Sequence, residues 1–378
     1  MKAIINGKII LKDKIIENKS LIFEDTIIGI EDEVPATCEI IDAKGLYISP
    51  GLIDVHIHGS CGADAMDENL EAIKTISEGI AKNGVTSFLP TTMTMSKEDI
   101  YQALKNVRHW TTQQINGAKI LGAHLEGPFI NENYKGAQAA TNIIVSTFEF
   151  IEQFADIIKI VSFAPELDKD FNFTKEVKEK TNITLSIGHS EATFSEAKAA
   201  IAQGCSHITH LFNAMTPLNH REPGVVGAAL MSDTTCELIA DKIHINPELF
   251  SFVLKNKGKE NVVLITDSMR AGCMKDGDYD LGGQPVFVKD GAARLENGSL
   301  AGSVLTLNKA VKNFYDHTET DLATVIGLAS LNPAKSIGIS EQKGSLEIGK
   351  DADIVLFDEE LNCWLTISEG RVIYNQLT

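Results

Sequence analysis

His56 and His58 stand two residues apart in the run Pro50-Gly51-Leu52-Ile53-Asp54-Val55-His56-Ile57-His58-Gly59, and in an extended strand such residues share one face. Two nitrogen donors placed in this way make half of a metal site. Four further apolar runs close on groups of similar chemistry: His124-Leu125-Glu126-Gly127-Pro128, Gly188-His189-Ser190, Thr209-His210-Leu211-Phe212-Asn213 and Thr266-Asp267-Ser268-Met269. A single histidine at a strand end is more often a hydrogen-bonded structural group than a ligand. Together, the histidines, the glutamate and the aspartate form a nitrogen and oxygen set suited to zinc or iron(II), provided the fold brings the run ends to one place. Such a site points to hydrolysis. A divalent ion lowers the pKa of water from about 15.7 towards 7, and a nearby carboxylate takes the proton and returns it to a leaving amine. Asp267, with no cation beside it in the chain, is assigned that shuttle. The competing role is a helix N-cap ahead of Ser268-Met269-Arg270.

The elements that must position these groups are legible as eight short apolar runs: 51–58, 85–91, 120–126, 158–164, 183–189, 205–211, 237–240 and 262–267. Longer helical stretches separate them, the pattern of parallel β/α units. Eight units over a span near ~250 residues predict a closed (β/α)8 TIM-like barrel, whose active site lies at the C-terminal strand ends. A doubly wound open sheet is the alternative, but no G-x-G-x-x-G turn follows an early strand. Residues 1–49 read differently, with Ile4, Ile9, Ile15, Leu21 and Ile27 separated by turn signals such as Asn6-Gly7, and residues from 344 onward behave alike. The expected division is therefore a small β-sandwich from 1–49 plus 344–378, and a metal-dependent hydrolase barrel over 50–343.

Composition narrows the function classes. The chain has 378 residues, 43% hydrophobic and 23% charged, enough for a barrel plus an appendage. A formal net charge of -18 argues against nucleic acid or an anionic membrane as partner, while a few placed cations still allow an anionic small substrate. Cys38, Cys61, Cys205, Cys236, Cys273 and Cys363 lie far apart with no C-x-x-C pair. Neither a zinc knuckle nor a disulfide framework is suggested, and a reducing cytoplasm fits. No apolar run is long enough for a signal sequence or a membrane span.

At this point the sequence resembles a known family over essentially its whole length. The 50–59 run, Asn332-Pro333-Ala334, and Gly344-Ser345-Leu346 through Gly349-Lys350-Asp351-Ala352-Asp353 resemble the amidohydrolase superfamily, whose members join a barrel to a split β-sandwich. Longer strings are more specific: His124 to Phe129, Lys135-Gly136-Ala137-Gln138, Gly188-His189-Ser190, His210 to Met215, Pro223-Gly224 and Leu300-Ala301-Gly302-Ser303. These resemble the N-acetylglucosamine-6-phosphate deacetylase family. The resemblance implies hydrolysis of the acetamide of N-acetylglucosamine 6-phosphate to glucosamine 6-phosphate and acetate. It implies Glu126, His189 and His210 as metal ligands, His56 and His58 as holders of a second ion in members that have one, and Asp267 as the catalytic acid/base. The number of ions stays open at one or two, zinc or iron.

The same resemblance implies that Asn213 and Ala214 meet the sugar phosphate, and that Arg221 and His244 are its cationic contacts. Arg221 would reach in from a second subunit, which implies a homodimer; taken alone it is an ordinary solvated charge. Leu300, Ala301 and Gly302 are expected to line the acetyl and sugar pocket beside Ala137. One position departs from the family pattern: many members have histidine after Lys-Gly-Ala, where this chain has Gln138. An amide can donate to a developing oxyanion but brings no charge. His124 and Cys61 are expected near the site as supporting groups. Two rivals are weighed. A cyclic-amide hydrolase with a modified bridging lysine needs that lysine on the fourth strand, where Lys159 sits only at the start. A non-catalytic sugar-phosphate binder predicts a missing ligand or acid, and the set is whole.

Overall fold

The computed structural model describes residues 1–377, so the final position of the expected terminal domain lies outside the described residues. Eight parallel strands form its centre: β1 Leu52–Ile57, β2 Val85–Pro90, β3 Ala123–Glu126, β4 Ile158–Phe163, β5 Thr184–Ile187, β6 His207–Ile208, β7 Thr235–Ile239 and β8 Val262–Ile265. Pairing runs unbroken from β3 to β8, and β1 pairs with β2. Isolated bridges close the two seams. Thr91 bridges His124 between β2 and β3, and Ile57 bridges Ser268 between β1 and the end of β8. The sheet therefore meets itself as a (β/α)8 barrel.

Local sequence explains most of the surrounding helices. The helix after β1, Glu71–Ala81, buries Ala72, Ile73, Ile76 and Ile80 at the three- and four-residue spacing of one face. Ser96 accepts from the Asp99 N–H to start Lys97–Thr111, and Thr193 with Glu196 makes a reciprocal capping box ahead of Phe194–Gln203. The expected third strand, 120–126, is in fact two pieces. Lys119–Ile120 pairs with β2, the chain breaks at Gly122, and β3 resumes against β4. Gly122 has φ +145°, and a Cβ there would lie 2.2 Å from the Ile157 carbonyl oxygen, so only glycine permits the step between partners.

The chain ends pair with each other. One six-stranded sheet runs in the order Arg371–Asn375, Cys363–Ser368, Ile354–Phe357, Tyr47–Pro50, Lys8–Ile10, Ile15–Ile16, with Ile354 opposite Pro50. A four-stranded sheet of Lys2–Ile5, Ser20–Phe23, Ile27–Glu31 and Glu39–Asp42 packs over it. Strand alternation explains how the six-stranded sheet serves two cores. Ile354 and Leu356 enter the cluster with Ile4, Leu21 and Phe23, whereas Val355 and Phe357 face the barrel core. Fully burying a ring such as that of Phe357 contributes on the order of 1.5–3 kcal/mol. Gly84 makes room for it, since a Cβ there would lie 2.5 Å from Phe357 Cζ.

A third sheet interrupts the barrel pattern after β8. Gly277–Leu281, Gln284–Lys289 and Ala292–Leu295 form an antiparallel sheet that packs Leu281, Val286 and Ala293 with Met93, Met269 and Ala301. The reading of 50–343 as barrel alone did not include it, although Gly282-Gly283 between alternating segments is a hairpin signal. Among the described residues no helix is long and apolar enough to cross a membrane.

Candidate active site

The mouth of the barrel is built from the strand ends in sequence order. Pairing of β1 with β2 and β8 points His56 and His58 inward, and Glu126 ends β3. His189, His210 and Asp267 follow β5, β6 and β8 with φ of 49°, 29° and 49°. Such left-handed turns cost of order 1–3 kcal/mol each in non-glycine residues and persist where backbone bonds hold them. The Asn131 N–H donates to the His189 carbonyl at 2.8 Å, the Asp267 N–H to the His56 carbonyl at 2.9 Å, and the Ser303 N–H to the Asp267 carbonyl at 2.7 Å.

The imidazoles are oriented from behind. Nδ1 of His58 lies 3.1 Å from the Thr91 carbonyl, Nδ1 of His189 2.9 Å from the Tyr134 carbonyl, Nδ1 of His210 3.1 Å from the Asn213 carbonyl, and Nδ1 of His56 2.9 Å from Glu237 Oε2. These oxygens only accept, so each Nδ1 carries the proton and each Nε2 is left bare in the neutral ring. All four Nε2 atoms point at the same carboxylates. Glu126 Oε1 lies 3.0 Å from His210, 3.1 Å from His189 and 3.4 Å from His56. Glu126 Oε2 is 3.3 Å from His58, and Asp267 Oδ1 is 3.2 Å from His58 and 3.5 Å from His56.

Burial alone would depress the histidine pKa values, but the facing carboxylates outweigh it. His56 is raised to about 9 by Glu237, Glu126 and Asp267, and His58 and His210 are raised as well. Burial likewise opposes ionisation of Glu126, yet His56 and His189 hold it well below the usual range, and His56 with His58 lowers Asp267. The carboxylates thus favour a positive charge among the Nε2 atoms, whether carried by protons or by a cation.

A cavity of about 360 Å³ opens directly on this cluster. Its walls include His58, Glu126, His189, His210 and Asp267, together with Ala137, Gln138, Asn213, Ala214, His244, Leu300 and Gly302. Met93 and Leu281 add an apolar wall that sequence reading did not anticipate. His56 sits beneath, fully buried. Two expected lining residues are not brought to the cavity. Ala301 turns its side chain away into the cluster with Met269 and Ala293, because its N–H donates to the Ala293 carbonyl and fixes the alternation. Arg221 is exposed on the loop after β6, where its N–H donates to Asn219. A larger groove of about 460 Å³ lies at the junction of the barrel with the end sheets, lined by Asp25, Lys119, Glu369 and Arg371 among others, and it holds no converging donor set.

A family model described as the amidohydrolase family matches residues 47–374. The N-acetylglucosamine-6-phosphate deacetylase of Bacillus subtilis (strain 168) is 38% identical, covering 97% of each chain. The N-acetylgalactosamine-6-phosphate deacetylase of Escherichia coli O157:H7 is 34% identical over 94% of this chain and 95% of its own. The crystal structure of N-acetylglucosamine-6-phosphate deacetylase from Pasteurella multocida superposes with a TM-score of 0.92 at 31% identity, covering 98% of this chain and 99% of the other. The chain belongs to the amidohydrolase family, on the branch of the N-acetylglucosamine-6-phosphate deacetylases.

The residues of this amidohydrolase fit a divalent metal. His56 Nε2 is buried without a hydrogen-bond partner, and the bare Nε2 atoms of His189 and His210 lie 3.2 Å apart. Lone pairs aimed at one another and at a carboxylate are satisfied by a cation. His56, His58 and Glu126 group within ligating reach, as do Glu126, His189 and His210.

Glu237 was missed by sequence reading. It is fully buried on β7, with Oε1 3.1 Å from His207 Nε2 and Oε2 3.1 Å from the His210 N–H that donates to it. The signal was a carboxylate inside an apolar run, in phase with the inward positions 235 and 239. His124 also lies inside, with Nδ1 3.0 Å from the Val55 carbonyl and Nε2 2.7 Å from Ser162 Oγ, and burial beside His56 lowers it to about 3.

The expected polarising residue is held on both sides. The Thr94 N–H donates to Gln138 Oε1 at 2.6 Å, and Gln138 Nε2 donates to Glu126 Oε2 at 2.7 Å. Gln138 therefore braces the carboxylate while lining the cavity. Gln284, on the added sheet, donates to the Ala137 carbonyl and ties that roof to the same loop.

Proposed function

We propose that this amidohydrolase hydrolyses the acetamide of N-acetylglucosamine 6-phosphate, giving glucosamine 6-phosphate and acetate. The observation that carries the reading is one cavity in which Asp267 and the bare Nε2 atoms of His58, His189 and His210 face the same space. Glu126, His189 and His210 hold one ion, and His56 with His58 hold a second when it is present. Zinc or iron(II) suits this nitrogen and oxygen set. The ion, when bound, supplies Lewis acidity and acidifies water towards neutral pH.

The chain's own groups then do the following. Asp267 accepts the proton of the attacking water and returns it to the departing nitrogen. Gln138 uses one N–H to hold Glu126 and offers the other to the carbonyl oxygen as its charge grows. Met93 and Leu281 give the acetyl methyl a dry wall. His244 is fixed by Asp241, with Nδ1 2.6 Å from Oδ2, and its far side meets the phosphate, aided by Asn213 and Ala214. Arg221 is supplied across a homodimer interface, where its guanidinium makes two parallel bonds to the phosphate. Exposed Leu218, Met231 and Phe252 on the elements around that loop suit such a contact. We take residues 1–49 with 344–378 as one domain and 50–343 as the other, in a cytoplasmic enzyme.

The test is acetate release from N-acetylglucosamine 6-phosphate and its 4-epimer by metal-loaded protein. The 34%-identical galactosamine relative makes the epimer the informative control. Asp267→Asn should keep its metal and lose about 10²–10⁴-fold in kcat. Retention of substantial turnover by that variant would remove Asp267 from the proton path.

A further inference from the structure

Cys61 and Cys273 are far apart in sequence and meet at the rim of the barrel mouth. Cys61 lies three residues after His58, and Cys273 lies six after Asp267. The Cys61 N–H donates to the Gly272 carbonyl at 2.8 Å, and the Gly62 N–H to the Arg270 carbonyl at 2.8 Å. The first bond joins Cys61 to the peptide unit that leads into Cys273, and the two sulfurs lie against positions four residues apart on one segment, Cys61 Sγ against Gly79 and Cys273 Sγ on Asn83. Cys61 cannot easily turn its sulfur away, because it is pressed on the helix Glu71–Ala81: a Cβ at Gly79 would lie 2.5 Å from it. Both cysteines sit in left-handed backbone, with φ 55° and 63°. Asn83 Nδ2 donates to Cys273 Sγ at 3.4 Å, a contact that favours a thiolate. The Cys61 sulfur, followed by the Asn83 contact, holds the Cys273 thiol below the usual range. Cys273 is exposed, whereas Cys205, Cys236 and Cys363 are buried.

We propose that Cys61 and Cys273 are a peroxide-responsive dithiol that closes to a disulfide and staples the exits of β1 and β8 together. The hydrolytic reaction uses neither sulfur, so this goes beyond the proposed function. The Cys273 thiolate attacks one oxygen of hydrogen peroxide, the O–O bond breaks, and a sulfenic acid and hydroxide result. The Cys61 sulfur then attacks that sulfenic sulfur, the S–S bond forms, and hydroxide leaves to be protonated as water. Two thiols lose two electrons in total, and one peroxide becomes two waters. A paired, exposed, low-pKa cysteine with a resolving partner is the arrangement in which intracellular disulfides are transient and regulatory. The bridge closes more than half of the chain into one loop, which restricts the unfolded state.

The test uses zinc-loaded protein, since zinc is redox-inert, exposed to hydrogen peroxide, alkylated and digested without reductant for mass spectrometry. The expected result is a linked peptide pair containing Cys61 and Cys273. The oxidised protein should also melt several degrees higher, returning to the starting value with dithiothreitol. In Cys61→Ser the linked pair and the rise vanish, and Cys273 proceeds to sulfinic acid at lower peroxide. The proposal is overturned if wild-type Cys273 reaches sulfinic acid with Cys61 still alkylatable, if no linked pair forms, or if Cys61→Ser resists over-oxidation as well as wild-type.

Discussion

In the deeper layer of the barrel interior, Glu237 receives His56 Nδ1 at 2.9 Å, His207 Nε2 at 3.1 Å and the His210 N–H at 3.1 Å. One layer up, Glu126 faces four Nε2 atoms within 3.4 Å, one of them without a partner and two aimed at each other. Both carboxylates are buried and flanked by imidazoles. The difference lies in which groups bring protons. Around Glu237 the donors supply them and the layer is self-sufficient, as burial of a charge requires. Around Glu126 the ring protons are already committed behind, to backbone carbonyls for His58, His189 and His210 and to Glu237 for His56, leaving surplus lone pairs that only a cation or added protons satisfy. The same residue types thus make a support in one layer and a binding site in the next.

Four substitutions test that contrast, in falling order of effect on turnover. Glu126→Gln should reduce bound metal to well below one equivalent and cost more than about 10³-fold in kcat, read by elemental analysis beside acetate release. Gln138→Leu should retain metal and lower kcat about 100-fold, the usual scale for one oxyanion donor; a loss under threefold would leave Gln138 as a brace for Glu126 alone. Glu237→Gln should weaken metal affinity by about 10–100-fold without abolishing turnover at saturating metal, measured by competition with a chelating dye. If it abolished turnover as Glu126→Gln does, the two layers would not differ in kind. Lys343→Met acts far from both. Lys343 lies 2.8 Å from Asp351 and 2.9 Å from Asp353, so its removal strands the buried Asp353 carboxylate and costs about 3–5 kcal/mol of stability. Urea unfolding should show that loss, with kcat within twofold of wild-type.

The barrel is legible because polar residues closing apolar runs are anomalies, and each anomaly here marks a strand end. His56, His58, Glu126, His189, His210 and Asp267 all stand out in this way, and the structure brings them together. Glu237 is harder to find because it sits inside its run, where a strand boundary drawn at position 237 hides the phase that turns it inward. The break at Gly122 depends on a contact with Ile157, which no local pattern reveals. Leu300, Ala301 and Gly302 illustrate a finer limit: a matched string gives the loop, but backbone pairing with Ala293 decides which side chains face the cavity. Arg221 poses the opposite problem, since the role expected for it depends on a second chain.

The most direct test is anomalous diffraction at the zinc edge from crystals of the zinc-loaded protein. A peak is expected within about 2.0–2.2 Å of Glu126, His189 Nε2 and His210 Nε2, with Asp267 beside it. Absence of a peak there at full zinc loading, or a peak ligated elsewhere while acetate release proceeds, would contradict it.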